Sequence, residues 1–391
     1  MIIVPYLTHP YNKEKQEQYM SEDFAKNTPK LGFGLMRLPN KGIGKDIRQI
    51  SRMVDMFMEA GFTYFDTAYV YPGSENAIRK ALVERYPRES FTLADKMNAF
   101  IMAPTEKAAK KQFLTSLERT GAGYFDYYLL HSLMDNNYKK YEKFHLWEYC
   151  RQLKEEGKIR RFGFSFHGTP ELLEQLLTEH PEVDFIQLQI NYADWERKSV
   201  SSRANYEISR RHNVPVTIME PVKGGALADP PKEVKKLFDE YAPGQSYASW
   251  AIRYCASLDG ILTVLSGMSN TDQMQDNLSY MRNFQPLNSD EMKIIQEAQR
   301  IMGNSSAIPC TACSYCTKGC PQEIRIPDIF AAANLQLANG QILQARKAYA
   351  EAAPEGHRPT DCIKCRQCEQ ACPQHLPITD YLKQAENLLE V

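Results

Sequence analysis

From Leu31 to about Asn283 the chain alternates short apolar runs with longer amphipathic stretches, eight times over. The apolar runs are LGFGLM (31–36), TYFD (63–66), FTLADK (91–96), YFDYYLLH (124–131), RRFGFS (160–165), DFIQLQIN (184–191), VPVTIM (214–219) and ILTVLSG (261–267). Between them the apolar positions take helical spacing, as over Asp46 to Ala60, Glu75 to Tyr86, Glu106 to Thr120 and Leu146 to Gly157. Strands alternating with helices predict parallel pairing, and eight units in roughly 250 residues predict an α/β fold, the closed (β/α)8 TIM barrel. An open doubly wound sheet fits the alternation less well, because no Gly-x-Gly-x-x-Gly follows the first strand.

Beyond this region the pattern gives way to cysteines. Cys310, Cys313, Cys316 and Cys320 precede Pro321, and Cys362, Cys365, Cys368 and Cys372 precede Pro373. Both runs read Cys-x2-Cys-x2-Cys-x3-Cys-Pro, the spacing of bacterial ferredoxins with two [4Fe-4S] clusters, in which the fourth cysteine of each run ligates the other cluster. The spacing therefore predicts one cluster on Cys310, Cys313, Cys316 and Cys372, and a second on Cys362, Cys365, Cys368 and Cys320. Zinc ribbons pair two separated Cys-x2-Cys clips instead, and disulfide frameworks belong to small secreted domains. Between the runs, IPDIFAAANLQLANGQILQARKAYAEAA reads as two helices split at Gly340. This tail resembles the helical ferredoxin module of multisubunit redox enzymes. The organisation expected is a leader over 1–30, a barrel over 31–285, a connecting helix over 286–303 that docks the tail on the barrel, and a mainly α-helical ferredoxin-type domain over 304–391.

In a barrel of this kind chemistry sits at the C-terminal ends of the strands. Three successive strands end in Asp66, Lys96 and His131, and Tyr71 follows five residues after Asp66. Asp95 is excluded from the set, since neighbouring strand residues face opposite sides.

The stretch GFTYFDTAYVYPGSENAIRKAL, with ADK on the third strand and LLH on the fourth, resembles the aldo/keto reductase family over residues 31 to 283. The resemblance implies an NAD(P)H-linked oxidoreductase acting on a small-molecule carbonyl, with Asp66, Tyr71, Lys96 and His131 as catalytic residues. In that scheme Tyr71 gives a proton to the developing alkoxide, Lys96 lowers the phenol's pKa, Asp66 holds Lys96, and His131 donates to the carbonyl oxygen or relays its proton. It also implies nicotinamide contacts from Ser165 and Gln187, with Phe166 in place of the usual Asn and Met219 in place of the usual stacking aromatic residue. In SGMSNTDQMQDN, Ser266, Gly267, Met268, Gln273, Asp276 and Asn277 stand where the family holds pyrophosphate and adenosine. Gly267 and Gln273 replace a frequent Lys and Arg, which leaves NADH and NADPH both open.

Composition changes this picture little. Hydrophobic residues make up 43% and charged ones 24%, as in ordinary globular chains, and a net charge of -1 gives no footprint for nucleic acid or an anionic membrane. No signal-like or membrane-length apolar run is present, so a cytoplasmic protein is expected; Met20 is an alternative start. Arg325, Arg346, Lys347, Lys364 and Arg366 offer either a solvated face or a docking patch for an acidic carrier such as ferredoxin or flavodoxin. Nicotinamide moves electrons in pairs and clusters move them singly, so a flavin, a substrate with a stable radical or a partner protein must bridge the two. Three readings follow: a reductase wired to its clusters, a reductase whose clusters only fold and dock the tail, and an electron-transfer protein whose barrel binds a flavin or partner and reduces no carbonyl. Substrate selection is expected from loops after the strands, ADWERKSVSSRA among them.

Overall fold

The structure, a computed structural model, describes residues 24–100, 102–303 and 306–390. Eight parallel strands close into a barrel in chain order: β1 (Leu31–Gly34), β2 (Tyr64–Asp66), β3 (Thr92–Met97), β4 (Phe125–Leu133), β5 (Ile159–Phe166), β6 (Phe185–Gln189), β7 (Val216–Met219) and β8 (Ile261–Ser266). Each falls within two residues of an apolar run of the sequence, so the TIM-barrel expectation holds.

Side chains alternate across a strand, and register therefore decides which of them reach the interior. Asp66 pairs with Ala94, Lys96 with Leu129, Ser165 with Gln187, and Gln187 with Thr217. The same parity that carries Tyr64, Ala94, Tyr127, Leu129 and Phe185 into one packed interior cluster puts Asp66, Lys96, His131, Ser165 and Gln187 on the layer above it. Gly163 makes room for this packing, since a Cβ there would lie 2.3 Å from the Phe185 carbonyl oxygen.

Residues 24–30, expected in the leader, close the N-terminal end of the barrel. Phe24 packs on Tyr127 at 6.3 Å, the Arg161 guanidinium lies 4.4 Å from the Phe24 ring centre, and Thr263 donates to the Pro29 carbonyl at 2.8 Å. Residues 1–23 of that leader lie outside the described residues. The helix expected over Glu75 to Tyr86 is an α-helical turn, Ser74–Ile78, that widens into a π-helical one, Arg79–Val83.

Helix Ser289–Gly303 packs on the flank of the barrel, burying Ile295 and Ala298 in the barrel core and donating from Gln299 to the Tyr192 carbonyl at 2.9 Å. It does not carry the docking; the tail reaches the barrel through its cluster loops. In the tail, helices Ile326–Asn339, Ile342–Ala352 and Ile378–Leu389 share a core that includes Ile329, Phe330, Ala333, Ala345, Leu382 and Ala385. Gly340 ends the first of them at φ 68, a left-handed cap whose N–H reaches back to Gln336 and Leu335.

The tail sits over the C-terminal face of the barrel. Gln189 and Gln374, both buried, exchange amide hydrogen bonds at 2.9 and 2.7 Å. Arg37 donates to the Thr311 carbonyl at 2.7 Å, His375 Nε2 to the His167 carbonyl at 2.7 Å, and Asn136 to the Gln370 carbonyl at 3.1 Å. Among the described residues no helix is long and apolar enough to cross a membrane.

Candidate active site

A cavity of about 550 Å³ opens where the strands end, within the usual range for a ligand or cofactor site. Asp66, Tyr71 and His131 line it, and Lys96 lies fully buried beneath them. Lys96 Nζ donates to Asp66 Oδ1 at 2.5 Å and to the Thr67 carbonyl at 2.7 Å, and it stands 5.2 Å from the centre of the Tyr71 ring. Tyr71 and His131 meet edge to face, with ring centroids 5.7 Å apart. Asp95 turns the other way, as strand parity requires; it is buried outside the cavity and accepts from the Lys96 N–H.

A local irregularity aims His131. The β4–β5 register shifts between Leu130 and Leu133, and Ser132 stands at φ 62, its N–H donating to Ser165 Oγ at 2.7 Å. Such a break in the ladder re-aims the neighbouring side chain.

Burial sets the charge state of the site. It pushes the Tyr71 phenol well above the ordinary tyrosine range, and Tyr315, Asp66 and Glu220 push it the same way. The Lys96 ammonium beside this ring is paired with Asp66 and the Thr67 carbonyl. Burial raises the Asp66 carboxyl too, against the pull of Lys96. The His131 imidazole is held well below its usual value by burial, with Lys96, His167 and Lys318 adding to the effect, so it is neutral at pH 7. Its Nδ1 has no hydrogen-bond partner among the described residues.

All nine residues expected at a nucleotide line this one cavity. Ser165, Gln187 and Met219 are three of them, and among the described residues Gln187 Oε1 is buried without a partner. Ser266, Gly267, Met268, Gln273, Asp276 and Asn277 line it from the end of β8 and from helix Thr271–Met281. Ser266 Oγ donates to Asn277 Oδ1 at 2.7 Å, and Gln273 Oε1 accepts from the Ser269 N–H at 2.7 Å. The unpartnered amide oxygen suits a carboxamide, and the helix N-terminus suits a phosphate.

Several lining residues escaped sequence reading. Glu220, at φ 56 just past β7, stands 3.6 Å from Arg37, which also lines the cavity. Thr311, Cys313, Tyr315, Pro373 and Gln374 bring the tail into the wall. The loop ADWERKSVSSRA does not line the cavity: its Asp194 is buried in an ion pair with Lys223, and the tail takes its place. Tyr315 lies between two cluster cysteines, and that position was its only signal in the sequence.

The cysteines surround two further voids. One is lined by Cys310, Cys313, Cys316 and Cys372, the other by Cys320, Cys362, Cys365 and Cys368. Each void thus takes three thiols from one run and the last thiol of the other, which is the crossed arrangement the spacing implies. The thiols are spread round a void: no three His, Cys, Asp or Glu side chains among the described residues gather as a single-ion site. These sites fit an iron-sulfur cube. Cys372→Ala and Cys316→Ala are each expected to remove the same paramagnetic resonance signal of the reduced protein, and Cys320→Ala the other one; loss of different signals in the first pair would mean that each run holds its own cluster.

Comparison with known proteins follows these two halves. The profile of the aldo/keto reductase family matches residues 30–300, and that of the 4Fe-4S dicluster domain matches residues 309–376. The chain is 26% identical over 279 residues to a 9,11-endoperoxide prostaglandin H2 reductase of Trypanosoma cruzi, covering 69% of this chain and 87% of that one. It is similar to a solved aldo-keto reductase of Bacillus halodurans in its holo form, with TM-score 0.55, 27% identity and coverage of 69% and 91% of the two chains. An aldo/keto reductase of Klebsiella pneumoniae in complex with NADP and acetate shares the fold, with TM-score 0.57, 20% identity and the same coverage.

Proposed function

Since this chain belongs to the aldo/keto reductase family and carries a 4Fe-4S dicluster domain, we propose that it interconverts a small carbonyl compound and its alcohol, using a nicotinamide nucleotide in the barrel cavity and two [4Fe-4S] clusters in the tail. The observation that carries this reading is the convergence of Tyr71 and His131 on one cavity, over the buried Lys96–Asp66 pair, with the nine nucleotide positions along the same wall.

A bound reduced nicotinamide supplies a hydride to the carbonyl carbon. The residues supply the rest. Tyr71, its proton tightly held, gives that proton to the oxygen as negative charge develops there. Neutral His131 offers Nε2 as a second hydrogen-bonding group on the same oxygen. Lys96 takes a larger part once the oxygen carries charge, because an ammonium in a dry site acts strongly on a nearby phenolate. A strongly held phenol proton suits reduction better than oxidation. The NADP of the Klebsiella structure makes NADPH the first nucleotide to try, and Arg37 is the cation within the cavity that favours a phosphate.

The cysteines of the two voids would hold clusters that transfer electrons singly. Cys313, Thr311 and Gln374 line both the barrel cavity and the first void, and Ile326 lines both voids. At the second void Cys365 is exposed, Ile363 is 60% exposed, Arg366 lines the void, and Lys364 and Arg325 are exposed. An exposed apolar Ile363 with exposed basic residues beside it in sequence suits an acidic one-electron carrier such as a ferredoxin or flavodoxin. The test is anaerobic: the cluster-loaded protein should oxidise NADPH or NADH when given an aldehyde panel, with alcohol formed in equal amount. Absence of aldehyde-dependent oxidation with either nucleotide would remove the carbonyl reading.

A further inference from the structure

A carbonyl to be reduced must set its oxygen within hydrogen-bond reach of both the acid and the imidazole. In this structure a protein group stands at that place. The Tyr315 hydroxyl lies 3.5 Å from His131 Nε2, with the two rings 6.4 Å apart and nearly perpendicular. The same phenol interacts directly with the phenol of Tyr71. Tyr71, His131 and Tyr315 line one cavity, although Tyr315 comes from the tail and the other two from the barrel.

The loop that delivers Tyr315 is pinned on both sides. Before it, Thr311 accepts from Arg37 and lies so close to Gly224 that a Cβ at that glycine would be 2.4 Å from the Thr311 oxygen. After it, Lys318 donates to the Val70 carbonyl at 3.4 Å, one residue before Tyr71. Cys313 and Cys316 flank it within the first void. With its backbone fixed, Tyr315 has only side-chain rotation by which to leave the oxygen position.

We propose that Tyr315 is a specificity-determining residue of the barrel site: its hydroxyl occupies the position of the substrate oxygen between Tyr71 and His131, so that simple carbonyl compounds are kept out and only a substrate able to turn the Tyr315 side chain aside is admitted. The proposal rests on the carbonyl reading of Tyr71 and His131. It explains why the substrate pocket is built against the tail and not from the loop after β6. It also places a check on the substrate inside the cluster domain, where loss of docking and loss of selectivity go together.

Tyr315→Phe removes only the hydroxyl and frees its place for a ligand oxygen. Acetate, a small probe with the required oxygen, is titrated calorimetrically into the cluster-loaded protein with and without NADP. Acetate is expected to bind Tyr315→Phe about tenfold more tightly than wild type, the effect of removing one competing hydrogen-bonded group of ordinary strength. With acetaldehyde, KM is expected to fall by about as much and kcat to change less. Equal acetate affinity in the two proteins, or weaker binding to the Phe variant, overturns the proposal; weaker binding would make Tyr315 a donor to the bound oxygen. Should Tyr315→Phe lose cluster absorbance, Tyr315→Leu carries the same comparison. The two readings separate cleanly. Tighter acetate binding with no aldehyde turnover in either protein leaves Tyr315 as the occupant and removes the carbonyl reading, whereas equal turnover with equal acetate affinity does the reverse.

Discussion

Tyr71→Phe is expected to slow carbonyl reduction by about 10² to 10⁴-fold, the usual contribution of a positioned general acid, and to leave nucleotide affinity within about twofold. The expectation follows from the geometry. The phenol lies beside His131 and above the Lys96–Asp66 pair, and it is not among the nine residues suited to a nucleotide in the same cavity. Burial keeps the Tyr71 proton in place well past neutrality, so the reductive rate should hold level from about pH 6 to 9, with no loss as the pH rises through this window. Lys96→Met should match Tyr71→Phe in rate and exceed it in lost stability, because it strands the buried Asp66 carboxylate, a change that typically costs about 3–5 kcal/mol. A Phe variant retaining more than about a tenth of the rate would mean that another acid serves. Tyr315 would then be the first candidate, and Tyr71→Phe combined with Tyr315→Phe would identify it.

Gly224→Val is expected to release the tail from the barrel without unfolding either. Gly224 stands at φ 67, where a branched side chain is strained by about 1–3 kcal/mol. The larger effect is contact: a Cβ would lie 2.4 Å from the Thr311 carbonyl oxygen and 2.8 Å from the Thr311 carbonyl carbon, and backbone on both sides leaves nothing flexible to yield. Docking otherwise depends on a few polar contacts, each contributing about 0.5–1.5 kcal/mol, so losing the Thr311 seat should open the interface a large part of the time. Limited proteolysis between the barrel and the first cluster loop reads this directly, with cluster absorbance and barrel melting as controls. Gly225→Ala is the matched comparison. It also sits at positive φ, but a Cβ there meets nothing within 4 Å, so it should leave docking nearly intact. Equal protease sensitivity in the two variants would show that backbone strain, not the Thr311 contact, controls the interface.

Strands β1 to β8 were legible because burial on both faces makes a parallel barrel strand a near-continuous apolar run, and because two-residue parity assigns Asp66, Lys96 and His131 to the same interior. The cysteine spacing was legible for a similar reason: it encodes a loop geometry locally. The docking was not. Arg37 meets Thr311, Gln189 meets Gln374, and His131 meets Tyr315 across 184 to 274 positions of sequence, and no periodicity links them. The π-helical turn at Arg79–Val83 was hidden because its residues keep ordinary helical character. Specificity was sought in the loop after β6, the common place in a barrel, whereas here the tail supplies that wall.

The most direct test of the link between the two halves is a turnover measurement without nicotinamide nucleotide. Anaerobic, cluster-loaded protein receives a low-potential one-electron donor, a flavin to join single electrons into pairs, and the best aldehyde from the panel, and donor consumed and alcohol formed are measured together. If the clusters feed the barrel cavity, alcohol appears with two electrons and two protons taken up per molecule. Cys365→Ser, which disturbs the outer cluster and leaves Tyr71 and Lys96 untouched, should then slow this reaction at least about tenfold more than it slows the NADPH-driven one. Donor-driven cluster reduction with no alcohol formed, in protein that turns over normally with NADPH, would contradict the link and leave the clusters the work of folding and docking the tail.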